Sequence, residues 1–403
     1  MNDGIDYLLT INGGSSSVRF AVYSCETHPK LTLSGKIDRI GERGATLMLA
    51  GMGARVGSSV PISAPDRHAA VRCILKSVGE HTKASSIRAV GHRVVHGMQH
   101  SVPAVVDGKL LAALRRATPL APDHLPIEIE LMESFRRTRP NLLQVACFDT
   151  AFHRGMPSVA KLLPIPMRFQ SQGMQRYGFH GLAYEHLMDE LVRLGERPAT
   201  KGRVILAHLG SGASMAAVLN GGSIETTMGF TPAAGLVMGT RTGDIDPGAL
   251  LYLSQQRRVT PGGLARIVNH ESGLLGVSGT SSDMRDLLGR ERTDKLARAA
   301  VELFCYQASK WIGALAAALG GVELVVFSGG IGENSPVVRQ RICSKLGFLG
   351  LALDERKNAS NRPIISRAGS PVNVRVIVAD EEKVIAKHVI RVLRSRKTRR
   401  SIS

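Results

Sequence analysis

The feature that most restricts how this chain can fold occurs twice: an apolar run, cut by a glycine-serine turn and resumed at once. Residues 7–11 form the first run, Asn12-Gly13-Gly14-Ser15-Ser16-Ser17 interrupts it, and residues 18–23 mix apolar and polar side chains over strand length. Residues 204–209, Gly210-Ser211-Gly212-Ala213-Ser214 and residues 215–219 repeat the arrangement. Each unit reads as strand, tight turn, strand. The copies share little beyond Gly13 with Gly210 and Ser17 with Ser214, so the repeat suggests a duplicated domain only weakly. Elsewhere strands and helices alternate: a helix over 66–78, a strand over 142–148 ending on Asp149, a long helix over 294–319, and a buried strand over 322–328. That strand enters a third turn, Gly329-Gly330-Ile331-Gly332-Glu333-Asn334, followed by Ser335 as an N-cap and Pro336 in the first helical position. A strand over 374–378 leads to Glu381-Glu382 and a terminal helix. The alternation predicts an α/β fold, and 403 residues allow two domains with separate cores.

Turns rich in glycine and serine can aim backbone N–H groups and hydroxyls at an anion, and small residues let a phosphate approach the backbone. Three of them, each directly after a predicted strand, point to nucleotide binding. No Gly-x-x-x-x-Gly-Lys-Ser/Thr is present, nor the His-Arg-Asp and Asp-Phe-Gly pair of protein kinases. Gly210-x-Gly212 lacks the third glycine of a dinucleotide fingerprint and opens a hairpin rather than a helix. A net charge of +19 favours anionic substrates or nucleic acid, while aromatics at 4% argue against base-stacking platforms. The five cysteines form no Cys-x-x-Cys and read as buried reduced thiols. Met1-Asn2-Asp3-Gly4 is polar and acidic, unlike a secretory signal. The longest apolar stretch, 311–327, is cut by Gly320-Gly321 and Glu323, so it reads as a helix end and a strand rather than a membrane span. A cytoplasmic address is expected. His92 and His96 are spaced i, i+4 but on a predicted strand, where that spacing spans about 13 Å, so a shared metal is not expected.

A hairpin-type phosphate cradle resembles that of the actin, Hsp70 and sugar-kinase superfamily. Within it the motifs resemble one family, the acetate kinases: residues 12–19, Gly91-His92-Arg93-Val94-Val95-His96-Gly97, Phe148-Asp149-Thr150-Ala151-Phe152-His153 and Arg176-Tyr177-Gly178-Phe179-His180-Gly181. His208 to Gly212, Met228-Gly229-Phe230-Thr231-Pro232, Met238-Gly239-Thr240-Arg241, Gly243-Asp244-Ile245-Asp246-Pro247, Gly330 to Asn334 and Glu381-Glu382 follow in the family's order. The resemblance implies two duplicated ribonuclease-H-like domains with an ATP cleft between them, 1–150 with 382–403 and 151–381, closing during turnover, in a homodimer. It implies reversible, in-line, Mg²⁺-assisted phosphoryl transfer (Mn²⁺ as the alternative ion) from ATP to the carboxylate of a short acid, acetate first, giving acyl phosphate and ADP. Propionate and butyrate are the rival acids, and a catalytically impaired nucleotide-binding homologue is the rival of another class. By the same resemblance Asp149, His180, Arg241 and Arg93 are catalytic. Arg19, His208, Leu209, Gly210, Ser211, Gly212, Asp283, Met284, Arg285, Gly330, Ile331, Gly332, Glu333 and Asn334 bind nucleotide. Arg93, Val95, Asp123, Phe179 and Pro232 line the acid pocket, and Asn12 and Glu381 hold the metal.

The family pattern is broken in places. Arg19 stands for a usual Lys, Ser211 for a usual Asn, and Leu182-Ala183-Tyr184 for a usual Thr-Ser-His, which is expected to remove small hydroxyls near the site. Pro122-Asp123-His124-Leu125-Pro126 puts a carboxylate where a leucine usually meets the acid's methyl group. A carboxylate there costs desolvation and repels an anion, so acetate turnover is expected to be weak or another short acid preferred. Arg391, Arg394, Arg396, Lys397, Arg399 and Arg400 crowd the C-terminus. They read as a solvated, partly disordered tail, with nucleic-acid contact the lesser alternative.

Overall fold

The computed structural model describes residues 6–51, 59–82, 86–256 and 259–400. The opening Met1-Asn2-Asp3-Gly4 and the side chains of Lys397, Arg399 and Arg400 lie outside the described set. Contacts divide the chain into two units, Met1–Ala151 with Asp380–Ser403, and Phe152–Ala379.

The first unit is built on eight strands: β1 (Tyr7–Gly13), β2 (Val18–Ser24), β3 (Leu31–Asp38), β4 (Thr46–Gly51), β5 (Ser59–Pro61), β6 (Ile87–Val94), β7 (Ala104–Val105) and β8 (Leu143–Phe148), in the order β5-β4-β3-β2-β1-β6-β8-β7. The second has β9 (Arg203–Leu209), β10 (Ala213–Leu219), β11 (Gly222–Thr226), β12 (Leu324–Ser328) and β13 (Asn373–Val376), in the order β11-β10-β9-β12-β13. In both, a first strand pairs antiparallel with its hairpin partner on one side and parallel with a later strand on the other. The series β3-β2-β1-β6-β8 in one sheet and β11-β10-β9-β12-β13 in the other are therefore the same topology. The duplication that the sequence suggested through two hairpins extends to five strands each.

Local signals account for the element boundaries. Asp66 accepts from the Ala69 amide at 2.6 Å and starts the helix Arg67–His81. Asp294 accepts from the amides of Leu296 and Ala297 and starts the helix Lys295–Leu319, whose chain turns out at Gly320. β12 is buried along its whole length, as a parallel central strand requires. Its end corrects one expectation: Gly329–Asn334 is a short helix rather than a turn. The Glu333 carboxylate explains why, because it accepts from the Ser328 hydroxyl and the Gly329 amide and closes the helix on its own start. The basic C-terminal run continues a helix. The helix Glu381–Arg400 carries it, anchored by buried Val384, Ile385, Val389 and Ile390. Among the described residues no helix is long and apolar enough to cross a membrane.

Candidate active site

Parallel pairing sets the first cluster. β1 lies beside β6 with Ile11 opposite His92, so Asn12 and Arg93 follow at neighbouring strand ends. β8 lies beside β6 with Phe148 opposite Val94, and Asp149 is the next residue. Asp149 is fully buried. Arg93 donates to its Oδ2 twice, from Nη2 at 2.7 Å and from Nε at 3.1 Å. The Arg93 Nη1 group donates to Asn12 Oδ1 at 3.3 Å and stands 3.3 Å from Glu381 Oε2. Asn12 Nδ2 donates to the same Glu381 oxygen at 3.1 Å. Burial opposes the Arg93 charge, but Asp149 and Glu381 outweigh it and hold the guanidinium above its ordinary value. The structure thus brings together four expected residues that lie far apart in sequence. Val95 is buried next to them in sequence, and Asp123 is half-buried in the turn before the helix Leu125–Thr138. Arg19, opposite Asn12 across the β1–β2 pair, is exposed and borders a groove of about 520 Å³ with Tyr23, Lys36, Asp380 and Glu382. His92 Nε2 bonds Gln144 Oε1 at 2.9 Å, and burial lowers its pKa to about 4.

Glu128 was missed. It is 3% exposed and takes the Val95 amide with both oxygens, at 3.1 and 3.2 Å. A signal existed: with Leu125, Ile129, Met132 and Phe135 it lies on the buried stripe of its helix, where a carboxylate is out of place. Desolvation lifts its pKa to about 8, against the pull of Arg93 and the Val95 bond, with Asp149 adding to the rise. A raised carboxyl contributes stability that is complete below its unfolded pKa near 4.5 and is lost as pH rises through about 8, because the unfolded chain gives up the proton first. Urea midpoints of the wild type are therefore expected to fall across that window. Glu128→Gln is expected to flatten the fall, and parallel profiles for the two proteins would contradict the assignment.

The second cluster lies in the other unit. His180 has a left-handed backbone, φ 59° and ψ 24°, just before the helix Gly181–Arg193. Buried His153 holds the approach, its Nε2 donating to the Phe179 carbonyl at 3.1 Å while its Nδ1 takes the Ser223 hydroxyl at 2.9 Å. The His180 ring lies 4.7 Å from that of His208. A Cβ on Gly212 would stand 3.4 Å from His180 Nε2 and 3.7 Å from Arg241 Nη1, so both side chains converge over that glycine. Arg241 Nη1 also donates to the Pro232 carbonyl at 3.3 Å. Phe179 is buried and Pro232 half-buried.

Around this centre the nucleotide candidates separate. Gly210 and Gly330 are neighbours, since a Cβ on the first would lie 3.8 Å from the amide nitrogen of the second. Ser211 is exposed and its carbonyl accepts from the Gly239 amide at 2.9 Å. Leu209 is fully buried, so only its main chain can face a ligand. Ile331 is half-buried; Gly332 offers its carbonyl to buried Arg339 at 2.8 Å, and Asn334 donates back to the Gly330 carbonyl at 3.0 Å. Glu333 also accepts from the Ala379 amide, so its carboxylate serves its own loop. Asp283 caps the helix Met284–Arg290 and pairs with Arg285 at 2.6 Å, while Met284 is 3% exposed. The departure at residues 182–184 also has an unexpected outcome. Leu182 and Ala183 are buried, but the Tyr184 hydroxyl returns to the centre, 2.5 Å from Ser214 Oγ.

Comparison with known proteins agrees over the same span. The family model described as the Acetokinase family matches residues 7–387. An acetate kinase of Nitrobacter hamburgensis is 43% identical over 398 residues, covering 97% of each chain. The crystal structure of Porphyromonas gingivalis acetate kinase superposes with a TM-score of 0.86 at 33% identity, covering 96% of this chain and all of that one. A propionate kinase from Francisella tularensis superposes with a TM-score of 0.87 at 33% identity, covering 95% of this chain and 98% of that one. Matched by sequence and by fold across nearly its whole length, the chain belongs to the acetokinase family.

Proposed function

We propose that the chain uses the residues above to move the terminal phosphoryl group of ATP onto the carboxylate of a short acid, acetate first, and to run the reverse reaction from the acyl phosphate. The observation that carries the reading is Asp149, a fully buried carboxylate at a strand end, bound twice by Arg93. Phosphoryl transfer asks a protein chiefly for positioning and charge neutralisation. Arg93, oriented by Asp149 and held through Nη1 by Asn12 and Glu381, sets the positive charge that attracts the acid's carboxylate. Arg241 supplies the second guanidinium, and His180 Nε2 donates to the charge that develops on the transferring group. The amides around Gly210, Gly212 and Gly330, with His208, face the nucleotide phosphates.

Asn12 Oδ1 and Glu381 Oε2 are hard oxygen donors in one bonded cluster, which suits Mg²⁺ or Mn²⁺. Among the described residues no group of three His, Cys, Asp or Glu is arranged to hold a metal; an ion held by Asn12 and Glu381 would complete its shell with water and phosphate oxygens. When bound, the ion supplies neutralising charge at the phosphates. The proposed state is a homodimer. In its favour, the helix Pro247–Ser254 buries none of its side chains, and Leu251 and Tyr252 are 64% and 66% exposed.

A coupled assay across acetate, propionate, butyrate and a hydroxy acid tests the reading, with Arg241→Ala as the control. Turnover is expected for at least one acid and is expected to fall on the order of 10³-fold in the control. No turnover of any acid would leave a nucleotide-binding homologue as the better account. The choice of acid turns on Asp123. Its charge near an anionic substrate is worth roughly a tenfold penalty, so Asp123→Leu is expected to lower the KM for acetate by about that factor. Efficient, selective acetate turnover unaffected by Asp123→Leu would remove Asp123 from the pocket.

A further inference from the structure

We propose that Tyr184 and Ser214 form a two-hydroxyl relay that fixes the His180 ring with its proton on Nε2. The inference rests on the reading of His180 as a donor to the transferring group, and deepens it.

Both hydroxyl residues are fully buried. Tyr184 lies one helical turn after His180, its amide donating to the His180 carbonyl at 3.0 Å. Ser214 lies on β10 opposite His208 on β9. The Tyr184 hydroxyl stands 2.5 Å from Ser214 Oγ, and Ser214 Oγ stands 2.9 Å from His180 Nδ1. The rings of Phe152 and His153, each with its centroid 5.7 Å from that of Tyr184, hold the phenol in place.

Proton counting gives the direction. Each hydroxyl has one hydrogen to donate. If Tyr184 gives its hydrogen to Ser214, Ser214 gives its own to His180 Nδ1, and the imidazole proton sits on Nε2. That nitrogen is the one over Gly212 beside Arg241. The opposite direction would put the proton on Nδ1 and aim an Nε2 lone pair at the place an anionic phosphoryl group would occupy, which disfavours it. The relay also helps to hold the backbone of His180. A left-handed non-glycine residue costs on the order of 1–3 kcal/mol and persists only where its surroundings over-determine it. His180 is tied through its ring to Ser214 and Tyr184, and through the preceding carbonyl to His153. Tyr184 and Ser214 are positioning residues, since neither is argued to touch substrate.

The test uses the full chain and three variants, Tyr184→Phe, Ser214→Ala and His180→Ala. Kinetics are run in both substrates, and the histidine tautomer is read by two-bond ¹⁵N–¹H NMR, with the His180 signal assigned by its loss in His180→Ala. The wild type is expected to show His180 protonated on Nε2, and both hydroxyl variants a mixture of tautomers. Their kcat is expected to fall roughly 10- to 100-fold for Ser214→Ala and less for Tyr184→Phe, with each KM within about twofold, below the 10²–10³-fold loss of a direct donor in His180→Ala. A wild-type ring protonated on Nδ1 overturns the relay. So does wild-type kcat in both hydroxyl variants while His180→Ala is impaired. Wild-type kcat in His180→Ala overturns the reading of His180 itself.

Discussion

Replacing Arg93 by alanine is expected to lower kcat on the order of 10³-fold and to destabilise the first unit by about 3–5 kcal/mol. Both effects start at Asp149. Its carboxylate has no exposed surface, and Arg93 gives it two hydrogen bonds through one oxygen. Removing the cation takes away both bonds and the positive charge beside a buried carboxylate. Arg93→Lys separates the two roles. It keeps a positive charge against Asp149 and Glu381 but loses the fork that reaches Asn12 as well. Stability is therefore expected to recover to within about 1–2 kcal/mol of the wild type, while kcat stays depressed by two orders of magnitude or more. Urea unfolding and steady-state kinetics on the same preparations measure both. A lysine variant that recovered stability and rate together would reduce Arg93 to a point charge, and an alanine variant as stable as the wild type would mean that Asp149 is not held by this pair.

What could be read from the sequence was whatever depends on neighbours along the chain. Asp294 and Ser335-Pro336 announce helix starts, and both do so in the structure. The two hairpins are visible because a strand and its return are separated only by their turn. Asp149 could be placed at the end of an apolar strand, while its role came from the family resemblance. What stayed hidden depends on partners brought together across the fold. Glu128 reaches Val95 over 33 residues, and Tyr184 reaches Ser214 over 30. Arg339 is fully buried among Asn358, Asn361 and the carbonyls of Gly332 and Glu333. Periodicity identifies which helix face is buried but not which polar group waits opposite. The same limit hid the partners of Glu333: its motif suggested a nucleotide contact but not that its carboxylate is bound to Ser328, Gly329 and Ala379. The doubled strand order was equally hidden, because topology constrains which strands neighbour one another and not what they are made of.

The adjacent glycines 329 and 330 make the sharpest contrast the site offers, and opposite outcomes are expected for them. Gly329 has φ +75°, and a Cβ there would meet the Leu209 carbonyl oxygen at 2.6 Å and its carbon at 2.9 Å. Left-handed backbone costs an L-residue about 1–2 kcal/mol, and the clash is with main chain at the centre of a sheet, which cannot swing aside. Gly329→Ala is therefore expected to cost on the order of 3 kcal/mol in total, a fall of roughly 10 °C in the melting midpoint of a unit this size. Because Leu209 leads directly into Gly210, activity should fall with it. Gly330 has nothing within 4 Å of its Cβ position, so the protein itself gives no reason for a glycine. If the open space is where nucleotide phosphates approach the backbone, Gly330→Val should fold with a midpoint close to the wild type and raise the KM for ATP at least tenfold. The KM for the acid should stay unchanged. An unaltered KM for ATP in Gly330→Val would remove this helix start from the nucleotide site, and a wild-type midpoint in Gly329→Ala would mean that β9 yields more readily than its burial implies.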